Sequence, residues 1–105
     1  MISATWISDN DLVIKNGNDI VAKGRISHYD GQWFLEPENH SEEYGDFLMR
    51  LMIRHAVEIF GAFEQYTYAT PDTIAFYKKL GFEMTKSSDK CFFKMKHSGD
   101  IHGRC

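Results

Sequence analysis

The sequence predicts a single α/β (α+β) domain on one mixed sheet, and three observations carry that prediction. Short apolar-rich segments separated by turn dipeptides open the chain, two stretches with helical features follow, and strand-like segments bracket the second of them. Helices that connect strands allow those strands to run parallel, so the sheet is expected to be mixed. A chain of 105 residues is near the commonest domain size and holds one core. The domain is expected over residues 1–97, with a small polar tail at 98–105.

"ATWIS" and "DLVIKN" read as the first two strands, split by an Asp/Asn turn. Asn16-Gly17 is a strong hairpin signal before the strand "DIVAKGRISHY", and Asp30-Gly31 closes the next turn before "QWFLE". Pro37 is expected to end that strand. From Tyr44 to Phe60 the apolar positions Phe47, Leu48, Leu51, Met52, Ala56, Ile59 and Phe60 recur at three and four residues, predicting a helix that Gly61 stops. Acidic Glu42, Glu43 and Asp46 precede basic Arg50 and Arg54 along it, in the sense the helix dipole favours. "FEQYTYA" alternates as a strand, Thr70 and Pro71 suit the cap and first turn of a second helix, and Gly81 closes that helix. "FEMTK" and "CFFKMK" form a last pair of strands around "SSDK".

Composition excludes several classes. A net charge of -3, with Lys and Arg scattered, provides no basic patch for nucleic acid. With no apolar run of membrane-spanning length and no signal-peptide pattern, neither a membrane role nor export is expected. Two cysteines are too few for a disulfide framework, so a reducing cytoplasm is the expected location. His28, His40, His55, His97 and His102 lack metal-ligand spacing, and no metal is expected.

The segment "TPDTIAFYKKLGFEM" resembles the late helix and following strand of the GCN5-related N-acetyltransferases (GNAT), in which a pattern like FYxKxGF recurs. "LEPENHSEEYGDFLMRLMIRHA" is similar, without gaps, to that family's strand, Pro-Glu, phosphate loop and long helix. The resemblance spans roughly residues 20 to 96 and implies a GNAT-like mixed, mostly antiparallel sheet with two main helices. It implies acetyl transfer from acetyl-coenzyme A (acetyl-CoA) to an amine acceptor, free or on a protein.

In the family a loop of pattern [QR]xxGx[GA] offers bare backbone N–H groups and a helix N-terminus to the cofactor diphosphate. The matching residues here run from His40 to Gly45, and only the final glycine survives. The loop is therefore degenerate: His40 holds the basic or amide position, and Glu43 replaces the middle glycine. Each carboxylate beside a diphosphate costs about 1 kcal/mol or more at a surface. The three acids Glu42, Glu43 and Asp46 together weaken binding by about ten- to a thousandfold. On the resemblance, Leu35, His40, Glu43, Tyr44 and Gly45 form the cofactor-binding set.

The resemblance also implies that Tyr77 protonates the leaving thiolate, a phenol of pKa about 10 being matched to a thiol of about 8.5. Read from the residues alone, Phe76 and Tyr77 equally pack a helix onto the sheet. Glu36, at the end of "QWFLE", is the candidate base, with Glu64 the second. The family's early helices, which roof the acceptor site, have no counterpart before residue 44, so the chain is expected to be shortened at its N-terminus. Either the acceptor site is open to a protein, or a second copy of the chain covers it as a homodimer, or no acceptor binds. The alternative to an enzyme is a catalytically inactive GNAT-fold binding or structural protein, for example of phage or mobile-element origin.

Overall fold

Turn chemistry organises the first half of the chain. In the computed structural model, strands β1 (Ile2–Trp6), β2 (Asp11–Asn16), β3 (Asp19–Tyr29) and β4 (Gln32–Glu38) form an antiparallel meander. Asp30 and Gly31 have φ of 54° and 76° at the β3–β4 turn, the left-handed pair that a tight hairpin of matching twist demands. The structure describes residues 1–38, 41–88 and 93–97. His40, Cys91, His102, Cys105 and the tail expected at 98–105 lie outside them.

Two boundaries differ from expectation here. β1 ends at Trp6 instead of continuing to Ser8, because Ser8 is drawn into a turn. Its Oγ donates to Asp11 Oδ2 (2.8 Å) and accepts from the N–H groups of Asn10 and Asp11 (both 3.1 Å). β4 runs through Pro37 to Glu38, with Pro37 opposite Gly24 and Glu38 opposite Lys23 on β3. The parallel ladder from β4 to the next strand stops at Phe34, so on that side the proline has no ladder bond to forfeit.

Helix α1 (Glu42–Phe60) starts two residues before the predicted Tyr44, capped by Ser41. It buries Leu48, Met49, Met52, Ile53 and Ala56 completely, whereas Phe47 (40%) and Ile59 (52%) stay exposed. The buried stripe is thus rotated relative to the predicted one, taking in Met49 and Ile53. β3 passes so close beneath α1 that a methyl group at Gly24 would overlap Met52 Sδ.

After α1 come β5 (Gln65–Ala69), α2 (Ile74–Lys79), β6 (Glu83–Ser88) and β7 (Phe93–His97). The start of α2 also corrects the expectation. Thr70 and Pro71 belong to a turn in which Thr70 N–H donates to Thr73 Oγ1 (2.9 Å) and Thr73 N–H to the Thr70 carbonyl (3.0 Å). Thr73 holds the cap position.

The seven strands lie in the order β1-β2-β3-β4-β5-β7-β6, antiparallel throughout except for the β4–β5 pair. Leu12, Ile14, Ala22, Ile26, Leu35 and Met95 form one core with the buried face of α1 and with Tyr77, Leu80 and Phe82 at α2. Both helices join this cluster, so among the described residues the opposite sheet face carries no helix. That face carries Phe34, Tyr66, Tyr68 and Lys94, with Lys94 Nζ 4.7 Å from the Tyr66 ring centre. Residues 7–10 join β1 to β2 directly, so no helix intervenes there to cover it. No helix among the described residues is long and apolar enough to cross a membrane.

Candidate active site

The site begins where two parallel strands part. β4 and β5 are paired only at Trp33–Gln65 and Phe34–Tyr66. One residue further on, Thr67 Oγ1 donates to the Leu35 carbonyl at 2.9 Å, a side-chain bond in place of a ladder bond. Beyond it a cleft of about 230 Å³ opens, lined by Leu35, Glu36, Pro37, Thr67, Tyr68 and Tyr77 among others. Tyr68 and Tyr77 also border a second hollow of about 360 Å³, next to Glu42, Asp72 and Phe76. That hollow meets a third, of about 520 Å³, lined by Glu42, Glu43, Asp46, Arg50, Phe76 and Lys79 between the two helices. Shared lining residues make the three one trough, running from the parted strands past the start of α1.

α2 and its flanks hold Tyr77 in place. Its N–H donates to the Thr73 carbonyl (3.1 Å), and its carbonyl accepts from Leu80 (3.0 Å) and Phe82 (3.1 Å). Its ring meets Phe76 and Phe82 edge-on at 5.1 and 5.6 Å. Burial pushes the phenol above its ordinary value of 10.0, while the neighbouring Thr67 hydroxyl, as a hydrogen-bonding group, pulls the other way. The phenol therefore carries its proton at neutral pH, at the wall of the cleft.

Because the folded state holds that proton more tightly than the unfolded chain, Tyr77 contributes stability that is complete below pH 10.0. The contribution is lost as pH rises from there through the raised folded value. Denaturation followed from pH 8 to 12 is expected to show this alkaline loss in the native chain and a smaller one in Tyr77→Phe. Equal slopes would contradict the burial argument.

Glu36 lies on the same cleft from the β4 side, and Ser27 Oγ donates to its Oε1 at 2.6 Å. The structure thus brings Leu35, Glu36 and Tyr77 together. Glu64 is not among them: its carboxylate pairs with Lys96 (3.3 Å) away from the cleft.

At the start of α1, Tyr44 N–H points to Ser41 Oγ (3.5 Å), and Gly45 N–H donates to the Ser41 carbonyl (2.8 Å) as the first helical bond. Gly45 is buried, so its amide belongs to the helix and is not open to an anion. Among the described residues the N–H groups of Glu42 and Glu43 have no partner. The acidic crowding is partly offset, because Glu42 pairs with Lys79 (3.8 Å) and Asp46 with Arg50 (3.0 Å). Both pairs are exposed and weak individually, yet they place two cations in the trough.

Reading the residues alone missed Thr67, Ser27 and Lys79. Thr67 alternates with tyrosines in "QYTYA" and gives no sign of facing Leu35 across 32 positions. For Lys79 the signal existed, as the last-turn base of a helix beside an acidic helix start.

This topology is found in solved structures. The N-acetyltransferase PseH of Campylobacter jejuni matches with a TM-score of 0.70 at 14% identity, over 86% of this chain and 67% of that one. PseH has also been solved with acetyl coenzyme A. A GNAT-family acetyltransferase from Bacillus anthracis matches with a TM-score of 0.70 at 9% identity (86% and 66% of the chains). The protein yncA from Salmonella typhimurium, solved with its cofactor acetyl-CoA, matches with 0.70 at 16% identity (90% and 69%). The chain has an acetyltransferase-type fold with parted central strands. More specifically, it has the GNAT-like fold, mixed and mostly antiparallel with two helices. It spans about two thirds of the length of these structures. No protein-family model matches the sequence, and neither does any curated protein.

Proposed function

We infer that this chain transfers an acetyl group from acetyl-CoA to an amine. The observation that carries the reading is the trough linking three features: parted strands, a protonated buried phenol, and a helix start with two unpartnered N–H groups. The residues present fit the cofactor. The N–H groups of Glu42 and Glu43, with Lys79 and Arg50 close by, would hold its diphosphate, and Leu35 and Tyr77 would flank its thiol arm. When bound, acetyl-CoA supplies an acetyl thioester open to attack by an amine. Glu36, steadied by Ser27, accepts the proton the amine gives up. Tyr77 delivers its proton at the site of the leaving sulfur. The sheet face beside the cleft, which no helix covers among the described residues, suits an amine carried on a protein.

A second reading, the same fold as a binding or structural protein without chemistry, is favoured by Glu43. Among the described residues its carboxylate stands in the trough without a paired cation, where the family pattern has glycine. A thermal scan separates the two. At acetyl-CoA one hundred times its Kd, binding stabilises the fold by about 2.7 kcal/mol, about 10 °C in Tm for a domain this size. No shift at millimolar cofactor supports the binding protein. As a companion result, Glu43→Gln is expected to tighten acetyl-CoA by about fivefold, the worth of one surface charge pair, as read by calorimetry. An unchanged Kd would place the Glu43 carboxylate away from the diphosphate.

A further inference from the structure

We propose that Thr67 is a positioning residue whose hydroxyl ties β4 to β5 at the cleft and turns to donate a hydrogen bond to the Tyr77 oxygen once that phenol has given up its proton. This deepens the acetyl-transfer reading and rests on it for its catalytic meaning.

The geometry begins with the ladder. After Phe34–Tyr66 the next parallel pair would be Leu35 and Thr67, and there the strands are tied by the Thr67 side chain, Oγ1 to the Leu35 carbonyl at 2.9 Å. Thr67 is 2% exposed and Leu35 1%, so this bond is shielded from competing water. Both residues line the cleft with Tyr77. A threonine hydroxyl has one proton and two lone pairs. While Tyr77 is protonated, that proton rests on the Leu35 carbonyl. Once Tyr77 has given its proton to a leaving sulfur, the same hydroxyl turns to donate to the phenolate oxygen. No proton leaves Thr67; only its hydrogen bond is redirected. The direction of its influence on the phenol, opposite to that of burial, agrees with this. Valine keeps the shape and loses the hydroxyl, whereas serine keeps the hydroxyl.

The test uses the full chain labelled with 3-fluorotyrosine, whose phenol ionises at lower pH than tyrosine's, and 19F NMR titration. Tyr77→Phe identifies the Tyr77 signal among the five tyrosines. In Thr67→Val the Tyr77 ionisation constant is expected to fall roughly tenfold, the scale of one hydrogen bond to a charged group. Thr67→Ser is expected to stay within about twofold of the native chain. Thr67→Ala carries the same test if the valine variant does not fold. An unmoved Tyr77 titration in the hydroxyl-less variant, or a serine variant that behaves like it, overturns the proposal. The titration needs no activity, so it separates this inference from the one beneath it. If the titration moves while the alkaline limb of an acetylation pH profile does not, Thr67 still governs the phenol and the proton-donor reading of Tyr77 fails.

Discussion

Tyr77→Phe is expected to lower turnover in an acetyl-CoA-dependent amine assay by about 100- to 10,000-fold, the usual worth of a placed general acid. The ring keeps its edge-on contacts with Phe76 and Phe82, so the fold loses little. The hydroxyl's own hydrogen bonding is worth about 1 kcal/mol. A purely packing role predicts the same small stability change but with turnover intact. Measured kcat and Tm together decide, and a variant as active as the native chain would remove Tyr77 from the chemistry. The loss should fall on kcat more than on KM, because proton delivery matters in the transition state and not in binding.

Gly81→Ala is expected to be the most damaging single methyl near the site. Gly81 has φ of 101°, a backbone conformation that costs an L side chain about 1–3 kcal/mol. Its new Cβ would also lie 2.8 Å from His97 Nε2, which is itself bonded to the Leu80 carbonyl at 2.8 Å. His97 is 2% exposed and edge-on to Phe82, so it has little room to retreat. Losing that buried bond costs about another 1–3 kcal/mol. Together these lower Tm by about 10 °C or more at the usual conversion for a small domain. A loss under about 1 kcal/mol would show that the turn relaxes without strain.

Local chemistry made much of this fold legible. Asn-Gly and Asp-Gly turns, the apolar period of α1 and the Gly81 stop each depend on neighbours in sequence, and each appears close to where it was read. Boundaries failed where a side chain intervened: Ser8 captured its own turn and shortened β1, and Thr73 displaced Thr70 as the cap. Pro37 misled for a different reason. A proline is excluded only where its missing N–H would have had a partner, and the strands had already parted there.

Of the candidate residues that line the cleft, Tyr77 and Leu35 lie in or beside a segment with a recurring pattern, whereas no motif fixes Glu36. Thr67 was not legible, since its partner comes from a strand 32 residues away and only folding brings the two together. The acidic residues at the start of α1 are visible in the sequence, but their partners are not. Lys79, supplied by the other helix, pairs with Glu42, and Asp46 finds Arg50 one turn on.

The strand order β5-β7-β6 carries a kinetic cost. β6 is made before β7 yet has no place in the sheet until β7 arrives, so during synthesis the outer flank of β5 stands unpaired with Tyr66 and Tyr68 beside it. An unpaired strand flanked by aromatics invites pairing with another nascent chain. Closing the sheet last through a distant segment is also slow. Yield on expression should therefore respond to growth temperature and chain concentration more steeply than the stability of the finished molecule suggests.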